Sequence, residues 1–167
     1  MPYQGRIKMA TVDYFLKIDG IKGESQDKTH KDEIQLNSFS WGATNIGSMS
    51  AGGGGGSGKV HFQDFSFAKS VDTASPKLML ACANGDHIKN AILTCRKAGK
   101  EQQEYLKYTF TDLLVSKFWL GGTEVMPTEE VSINYSKIEM EYKAQKADGT
   151  LGGAVKAHYD VKQQSGG

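Results

Sequence analysis

The chain has 167 residues, and its 20 Lys and Arg against 19 Asp and Glu leave a net charge of +1. The charges are balanced in both halves, and only Arg6 and Arg96 are arginines, so the composition disfavours nucleic-acid binding. No apolar run approaches the ~20 residues of a membrane-spanning helix, and the first residues lack the apolar core of a signal peptide, so membrane insertion is not expected.

Alternating apolar residues predict strands along most of the chain. The predicted strands cover residues 11–18, 33–41, 59–71, 87–97, 103–120, 130–143 and 154–162. Within 33–41, 59–71 and 130–143 the apolar residues change phase partway along. A β-bulge or a change of the buried face produces such a phase change.

One helix is predicted over residues 75–85. Ser75 can cap it, Pro76 suits its first position, and Asn84-Gly85 supplies a left-handed stop. One helix among six or seven strands predicts a mostly β fold, either an antiparallel β-barrel or a sandwich.

The polar segment 21–32 is predicted to be a solvated loop. Its one histidine, His30, lies near Asp27, Asp32 and Glu33. We expect these side chains to face solvent rather than form an acid–base cluster, since loops usually run over the surface.

The glycine excess of the chain is confined to one segment. Eight of the 20 glycines fall within residues 42–58. Gly53-x4-Gly58-Lys59 matches most of a phosphate-binding loop, but Val60 stands where that motif needs Ser or Thr, and a strand pattern follows where it needs a helix. A nucleotide- or phosphate-binding enzyme is therefore an alternative only. Ile46 and Met49 favour a segment that docks on a neighbouring subunit.

No catalytic, cofactor or metal site is predicted. The four histidines lack the close spacing of zinc ligands, and neither a nucleophile elbow nor a Cys–His arrangement is present. Cys82 and Cys95 are expected to be reduced thiols of the core.

Five stretches carry a family resemblance: KIDGIKGESQDKTHKDEI (17–34), FSWG (39–42), GGGGGSGKVHFQDFSFAKSVDTASPKLMLAC (52–82), RKAGKEQQEYLKY (96–108) and QKADGTLGGAVKAHYDVK (145–162). Together they resemble the Hcp family, the haemolysin-coregulated proteins that build the inner tube of bacterial type VI secretion systems. The resemblance implies an Hcp-like domain over 9–163, with residues 1–8 as an N-terminal extension or cloning remnant and 164–167 as a flexible tail.

The resemblance implies a fold, an assembly and partners. The fold is an antiparallel β-barrel of two sheets with one short flanking α-helix. The chain is expected to form hexameric rings that stack into a conduit, without enzymatic activity. It is expected to assemble in the bacterial cytoplasm and to be secreted without a cleaved signal peptide. Its implied partners are further copies of itself, secreted effector proteins, a tip spike protein and a contractile sheath. A phage-type tail-tube protein is the alternative in the same structural class.

The resemblance also assigns residues to two surfaces. The long loop after FSWG is expected to reach an adjacent ring, and its candidate residues are Gly42, Ile46, Gly47, Met49, Gly52, Gly53, Gly54, Gly55, Gly56, Gly58 and Lys59. Small effectors are expected to bind inside the ring. Ser40, with Asn37 or Ser38, is the candidate contact, because Ser40 points opposite to Phe39 and Trp41.

Overall fold

Strands dominate the part of the chain that the computed structural model describes, residues 12–47, 59–97, 102–122 and 124–167. These ranges hold one helix, α1 (Ser75–Asn84), and the strands β1 (Val12–Ile18), β2 (Ile34–Leu36), β3 (Ser38–Ser40), β4 (Ala43–Asn45), β5 (Val60–Phe62), β6 (Phe65–Ser70), β7 (Ile88–Lys97), β8 (Glu104–Gly121), β9 (Thr128–Gln145), β10 (Leu151–Asp160) and β11 (Ser165–Gly166). The mostly β prediction with one short helix is confirmed.

The large sheet is antiparallel and runs in the order β11-β10-β9-β8-β7-β1-β2. Its centre is the pair β8 and β9, each 18 residues long. β6 pairs with the first part of β9, and β3 pairs with β6. The connection between β7 and β8, residues 98–101, lies outside the described residues.

The phase changes of the sequence mark places where a strand changes its partner. At Asn37 the chain passes from β2, which pairs with β1, to β3, which pairs with β6. Likewise, β9 pairs with β6 up to Ile133 and with β10 from Lys137 onward. Neighbouring strands are twisted relative to each other, so a strand that changes its pairing partner also changes the face that it buries.

The predicted antiparallel β class is confirmed, but the barrel is not closed among the described residues. Among the described residues no ladder pairs β2 with β3, although β7, β8 and β9 connect the β1–β2 part of the large sheet to the β3–β6 part. The second sheet is the two-stranded ladder of β4 and β5. The result is a strongly bent sheet that does not close into a complete barrel.

Helix α1 ends as predicted and begins differently. Gly85 adopts the left-handed conformation, with φ of 64°, that stops the helix. Ser75 is the first helical residue rather than the cap. The Asp72 carboxylate accepts a hydrogen bond from Ala74 N at 3.0 Å, and Ser75 Oγ accepts one from Asp72 N at 3.0 Å. Leu78 on α1 is fully buried against the sheet.

The core lies between the bent sheet and α1. Its largest buried apolar side chains include Phe65, Phe67 and Phe110. Cys95 is a buried free thiol, as predicted, and Cys82 is a half-buried one. Burial raises the pKa of Cys95 to about 12, so this thiol stays neutral at physiological pH.

The last residues of the sequence pair with β10. Ser165 and Gly166 form β11 against Asp160 and Tyr159 of β10. The Gly167 carbonyl also accepts a hydrogen bond from His158 N at 2.7 Å. Residues 161–164 make the turn that returns the chain to β10, so sheet pairing reaches the end of the sequence.

Candidate functional site

The residues predicted to contact effectors lie on or next to β3. Asn37, Ser38 and Ser40 are exposed, whereas Phe39 and Trp41 pack against the core. Because successive strand residues point to opposite sides, Ser38 and Ser40 share the face turned away from the core.

Ser40 belongs to a row of polar residues that crosses four strands. Ser40 lies opposite Ser66 of β6, and Ser66 lies opposite Ser132 of β9. Ser132 in turn lies opposite Lys117 of β8. The hydroxyl oxygens of Ser66 and Ser132 are 2.7 Å apart. Residues directly opposite each other share one face of a sheet, so this row forms a continuous strip.

A second row runs beside the first. Ser38 lies opposite Ala68, Ala68 opposite Glu130, and Glu130 opposite Trp119. Trp119 is 67% exposed. Lys117 links the rows, since its Nζ donates to Glu130 Oε1 at 2.9 Å and lies 5.1 Å from the centre of the Trp119 ring.

The two rows together are called the polar face, which consists of Ser38, Ser40, Ser66, Ala68, Lys117, Trp119, Glu130 and Ser132. Sequence reasoning found only its β3 part. The strand predictions contain the other residues, but the register that places them beside Ser40 depends on pairing between segments far apart in the chain. Hydroxyls, one ion pair and one exposed indole make this face suited to polar contacts with a protein surface.

The predicted docking loop lies between β4 and β5, which pair with each other as a short hairpin. Ala43 lies opposite Phe62 and Asn45 opposite Val60. Of the candidate residues, Gly42, Ile46, Gly47 and Lys59 are described, and Ile46 is 81% exposed. The others, Met49, Gly52, Gly53, Gly54, Gly55, Gly56 and Gly58, lie outside the described residues.

Aromatic stacking fastens the base of the hairpin to the large sheet. The rings of Trp41 and Phe62 stack with centres 6.3 Å apart, and Phe62 stacks on Tyr159 of β10 at 5.0 Å. The base of the hairpin is therefore anchored to the large sheet. β5 begins at Val60, next to Lys59, whereas a phosphate-binding loop leads into a helix, so this geometry disfavours the nucleotide alternative.

The segment 22–33, which we call the loop clamp, corrects the prediction of a solvated loop. His30 is only 6% exposed, and its ring stacks on Phe15 at 4.6 Å. Its Nδ1 lies 2.6 Å from Glu33 Oε2, and its Nε2 lies 2.6 Å from Glu104 Oε1 on β8. Phe15 is the signal that could have revealed this, because it is an apolar residue on the otherwise polar face of β1 and needs a cover.

Arg96 of β7 provides the second anchor of the loop clamp. Its Nη1 donates to Asp27 Oδ2 at 2.9 Å, and its Nη2 donates to Asp27 Oδ1 at 2.8 Å and to Asp13 Oδ2 at 3.2 Å. The guanidinium holds the pKa of Asp27 well below its usual range, because its hydrogen bonds favour the ionised carboxylate. Arg96 itself is 3% exposed.

Metal ligation and membrane spanning have no support in the described ranges. No group of three or more His, Cys, Asp or Glu side chains there could hold a metal ion. The helix in those ranges is also too short and too polar to cross a membrane.

Comparison with known proteins places this geometry in one family. The family model described as "Type VI secretion system effector, Hcp" matches residues 15–142. Protein hcp1 of Pseudomonas aeruginosa is 49% identical over 156 residues, covering 91% of this chain and 96% of that protein. The crystal structure of Hcp1 from Salmonella typhimurium is 38% identical and covers 94% of this chain and 99% of that one, with a TM-score of 0.78.

A more distant likeness concerns the phage-type alternative. A chain of the anti-feeding prophage baseplate shares 10% identity and a TM-score of 0.50, covering 84% of this chain and 95% of that one. At that identity the likeness shows a common fold alone.

Proposed function

Since the chain belongs to the Hcp family of type VI secretion proteins, we propose that it is a structural subunit of the secretion tube, which forms hexameric rings that stack into a conduit. The role is structural rather than catalytic. Identical subunits would close a ring through a head-to-tail interface, in which two different patches of the subunit meet.

The proposed partners follow from this role. The tube carries a tip spike protein, lies within a contractile sheath, and is expelled from the bacterial cytoplasm together with effector proteins. No cleaved signal peptide is required, because contraction of the machine exports the tube in one step.

The proposal that effectors bind inside the ring rests on the polar face. Its rows place Ser38 and Ser40 beside hydroxyls, an ion pair and an exposed indole on one continuous side of the sheet. The wall of a conduit must bind its protein cargo reversibly. Polar interfaces without a large apolar core bind in this way. We therefore assign the polar face, with Ser40 at its β3 edge, to effector contact.

The proposal that adjacent rings contact each other rests on the β4–β5 hairpin. Ile46 directly follows β4 and presents an apolar side chain to solvent. Gly42 precedes β4, and Gly47 follows Ile46. A neighbouring ring would cover Ile46 and remove its apolar surface from water.

Electron microscopy of the purified protein, together with its mass in solution, tests the ring. We expect rings with an open hole and a mass near 109 kDa, six times the 18.2 kDa of one chain. A particle of 18.2 kDa that persists after residues 1–8 are removed would contradict the proposal.

Substitution of Ser40 tests the lumen assignment. Ser40→Gln should keep the ring and reduce capture of a small effector exported by the same secretion system, because a longer amide intrudes on the contact. Ser165→Gln, at an exposed serine of β11, is the matched control. Unchanged capture by Ser40→Gln rings would count against effector contact at the polar face.

A further inference from the structure

The loop clamp holds a histidine in a position that fixes its proton count. Both ring nitrogens of His30 lie 2.6 Å from carboxylate oxygens, those of Glu33 and Glu104. An ionised carboxylate only accepts hydrogen bonds, and a neutral imidazole donates from only one nitrogen. Both contacts are hydrogen bonds only when the ring carries two protons.

We propose that His30 is a doubly protonated cation that fastens the loop clamp to β8, and that loss of one proton releases the clamp. With one proton gone, the lone pair of one nitrogen faces a carboxylate at hydrogen-bond distance. That contact changes from attraction to repulsion at a buried ring whose carboxylate partners are only partly shielded from water. The device lies outside the proposed lumen and stacking surfaces, and it does not depend on the tube role.

The charges around His30 favour the second proton. Glu33 of the clamp and Glu104 of β8 contact the ring, and Asp27 Oδ2 accepts the His30 backbone N–H at 3.0 Å. Arg96 of β7 and Asp13 of β1 complete the charged groups of the site. Four carboxylates thus share one arginine, so a cationic His30 reduces an excess of negative charge.

The face of Phe15 supports the same charge state. The His30 ring stacks on it at an interplanar angle of 8°, and the Arg96 guanidinium lies 4.8 Å from its centre. Aromatic faces attract cations, so Phe15 stabilises a protonated ring as well as burying it.

Release of the His30 side chain would also affect parts of the structure away from its imidazole. The far end of the clamp is tied to the segment before α1, because Thr73 N donates to Glu24 Oε1 at 3.0 Å. Glu24 and Ser25 also line a groove of about 500 Å³ that continues to Asn37 and Asp72. The groove therefore changes shape when the clamp loosens.

The direction in which pH changes the loop clamp follows from the extra proton that His30 carries in the closed clamp. The folded clamp binds the extra proton, so the fastening is complete on the acid side and is lost as pH rises. The clamp should therefore be more open at pH 8.5 than at pH 5.5.

Hydrogen exchange of the full-length protein, read by mass spectrometry and corrected for intrinsic rates, tests the release. Protection of the amides in 24–33 should fall roughly tenfold between the two pH values, since a charge-assisted hydrogen bond is lost. Nitrogen NMR of the His30 ring should show both nitrogens protonated at the lower pH. A ring with one proton there, in a closed clamp, would overturn the proposal.

Three substitutions separate the device from a general pH effect. His30→Gln should lose protection at both pH values, and His87→Gln, at an exposed histidine, should respond as the parent does. Glu104→Gln should keep protection at both, because an amide can donate to the bare nitrogen of a neutral ring. If Glu104→Gln loosens with pH as the parent does, the contact to Glu104 is not the switch.

Discussion

At the scale of single residues, the buried charges of this chain occur in paired sets. Arg96 is held between Asp27 and Asp13, and Lys69, fully buried, lies 2.6 Å from Glu129. A buried charge costs several kcal/mol of hydration free energy unless a partner of opposite sign and its hydrogen bonds replace the water. Removing one partner should therefore cost far more than removing an exposed charge.

Arg96→Ala should lower the free energy of unfolding by about 3 kcal/mol, because it leaves the partly buried carboxylates of Asp27 and Asp13 without their shared cation. Lys89→Ala, at an exposed position of the same strand, should change it by less than about 0.5 kcal/mol. Urea unfolding at one protein concentration and pH 7 measures both. Equal losses for the two variants would contradict the role of the buried pair.

Acid dependence provides a second readout of Arg96. The pKa of Asp27 is lowered in the folded chain, so its contribution to stability is complete above about pH 4 and is lost as pH falls further. Arg96→Ala removes the largest cause of that lowered pKa, while Thr29 N and His30 N still donate to Asp27, so the unfolding free energy of the variant should fall less steeply with acid. Parallel acid profiles for parent and variant would argue against it.

At the scale of elements, the sequence predicted the strands well because their signal is local. Alternation of side chains located β1, β7 and β8 to within one residue at each end. The phase changes were also visible, but their cause was not, because a change of partner involves strands that are distant in the sequence. The start of α1 was missed by one residue, since Asp72 and Ser75 share the capping of its first turn.

One buried cation joins several of these elements. Lys69 of β6 donates to Glu129 Oε2 of β9 at 2.6 Å and to Ser75 Oγ at the start of α1 at 3.1 Å. Its Nζ also lies 2.7 Å from Asp72 Oδ1. The lysine therefore helps to hold the start of the helix against the sheet.

A double-substitution cycle tests this junction. Lys69→Met should lower the free energy of unfolding by about 3 kcal/mol, because Glu129 stays buried without its partner. Adding Glu129→Leu to the same chain should recover most of that loss, since two apolar side chains fit a buried site. A double variant no more stable than Lys69→Met would show that Glu129 is not stranded by the single change.

At the scale of the whole molecule, the proposed stacking depends on Ile46, an exposed apolar residue that follows β4. Ile46→Asp should leave ring formation intact and abolish stacking and export, because a carboxylate replaces the apolar contact. Electron microscopy of rings and the amount of protein secreted by the bacterium measure the two effects. Leu80→Asp, on the exposed side of α1, is the control for a charge placed elsewhere.

The two outcomes that contradict the stacking proposal are distinct. Normal export of the Ile46→Asp variant would show that Ile46 is not a contact between rings. Loss of the ring itself would show that Ile46 acts within the ring instead.

The sequence by itself determined the mostly β class, the position of the helix, the left-handed stop at Gly85 and the family. These depend on alternation, on helix-end residues and on motifs, all of which are local along the chain. It also predicted that Ser40 points away from Phe39, which needs only the two-residue period of a strand.

Only the tertiary structure decided the bent, unclosed sheet, the rows of the polar face and the charged anchors of the loop clamp. His30 meets Glu104 across 74 residues, and Arg96 meets Asp13 across 83. Such contacts depend on strand pairing and register, which are set by the packing of the whole sheet. A local pattern cannot tell a solvated histidine from one that is buried between two carboxylates.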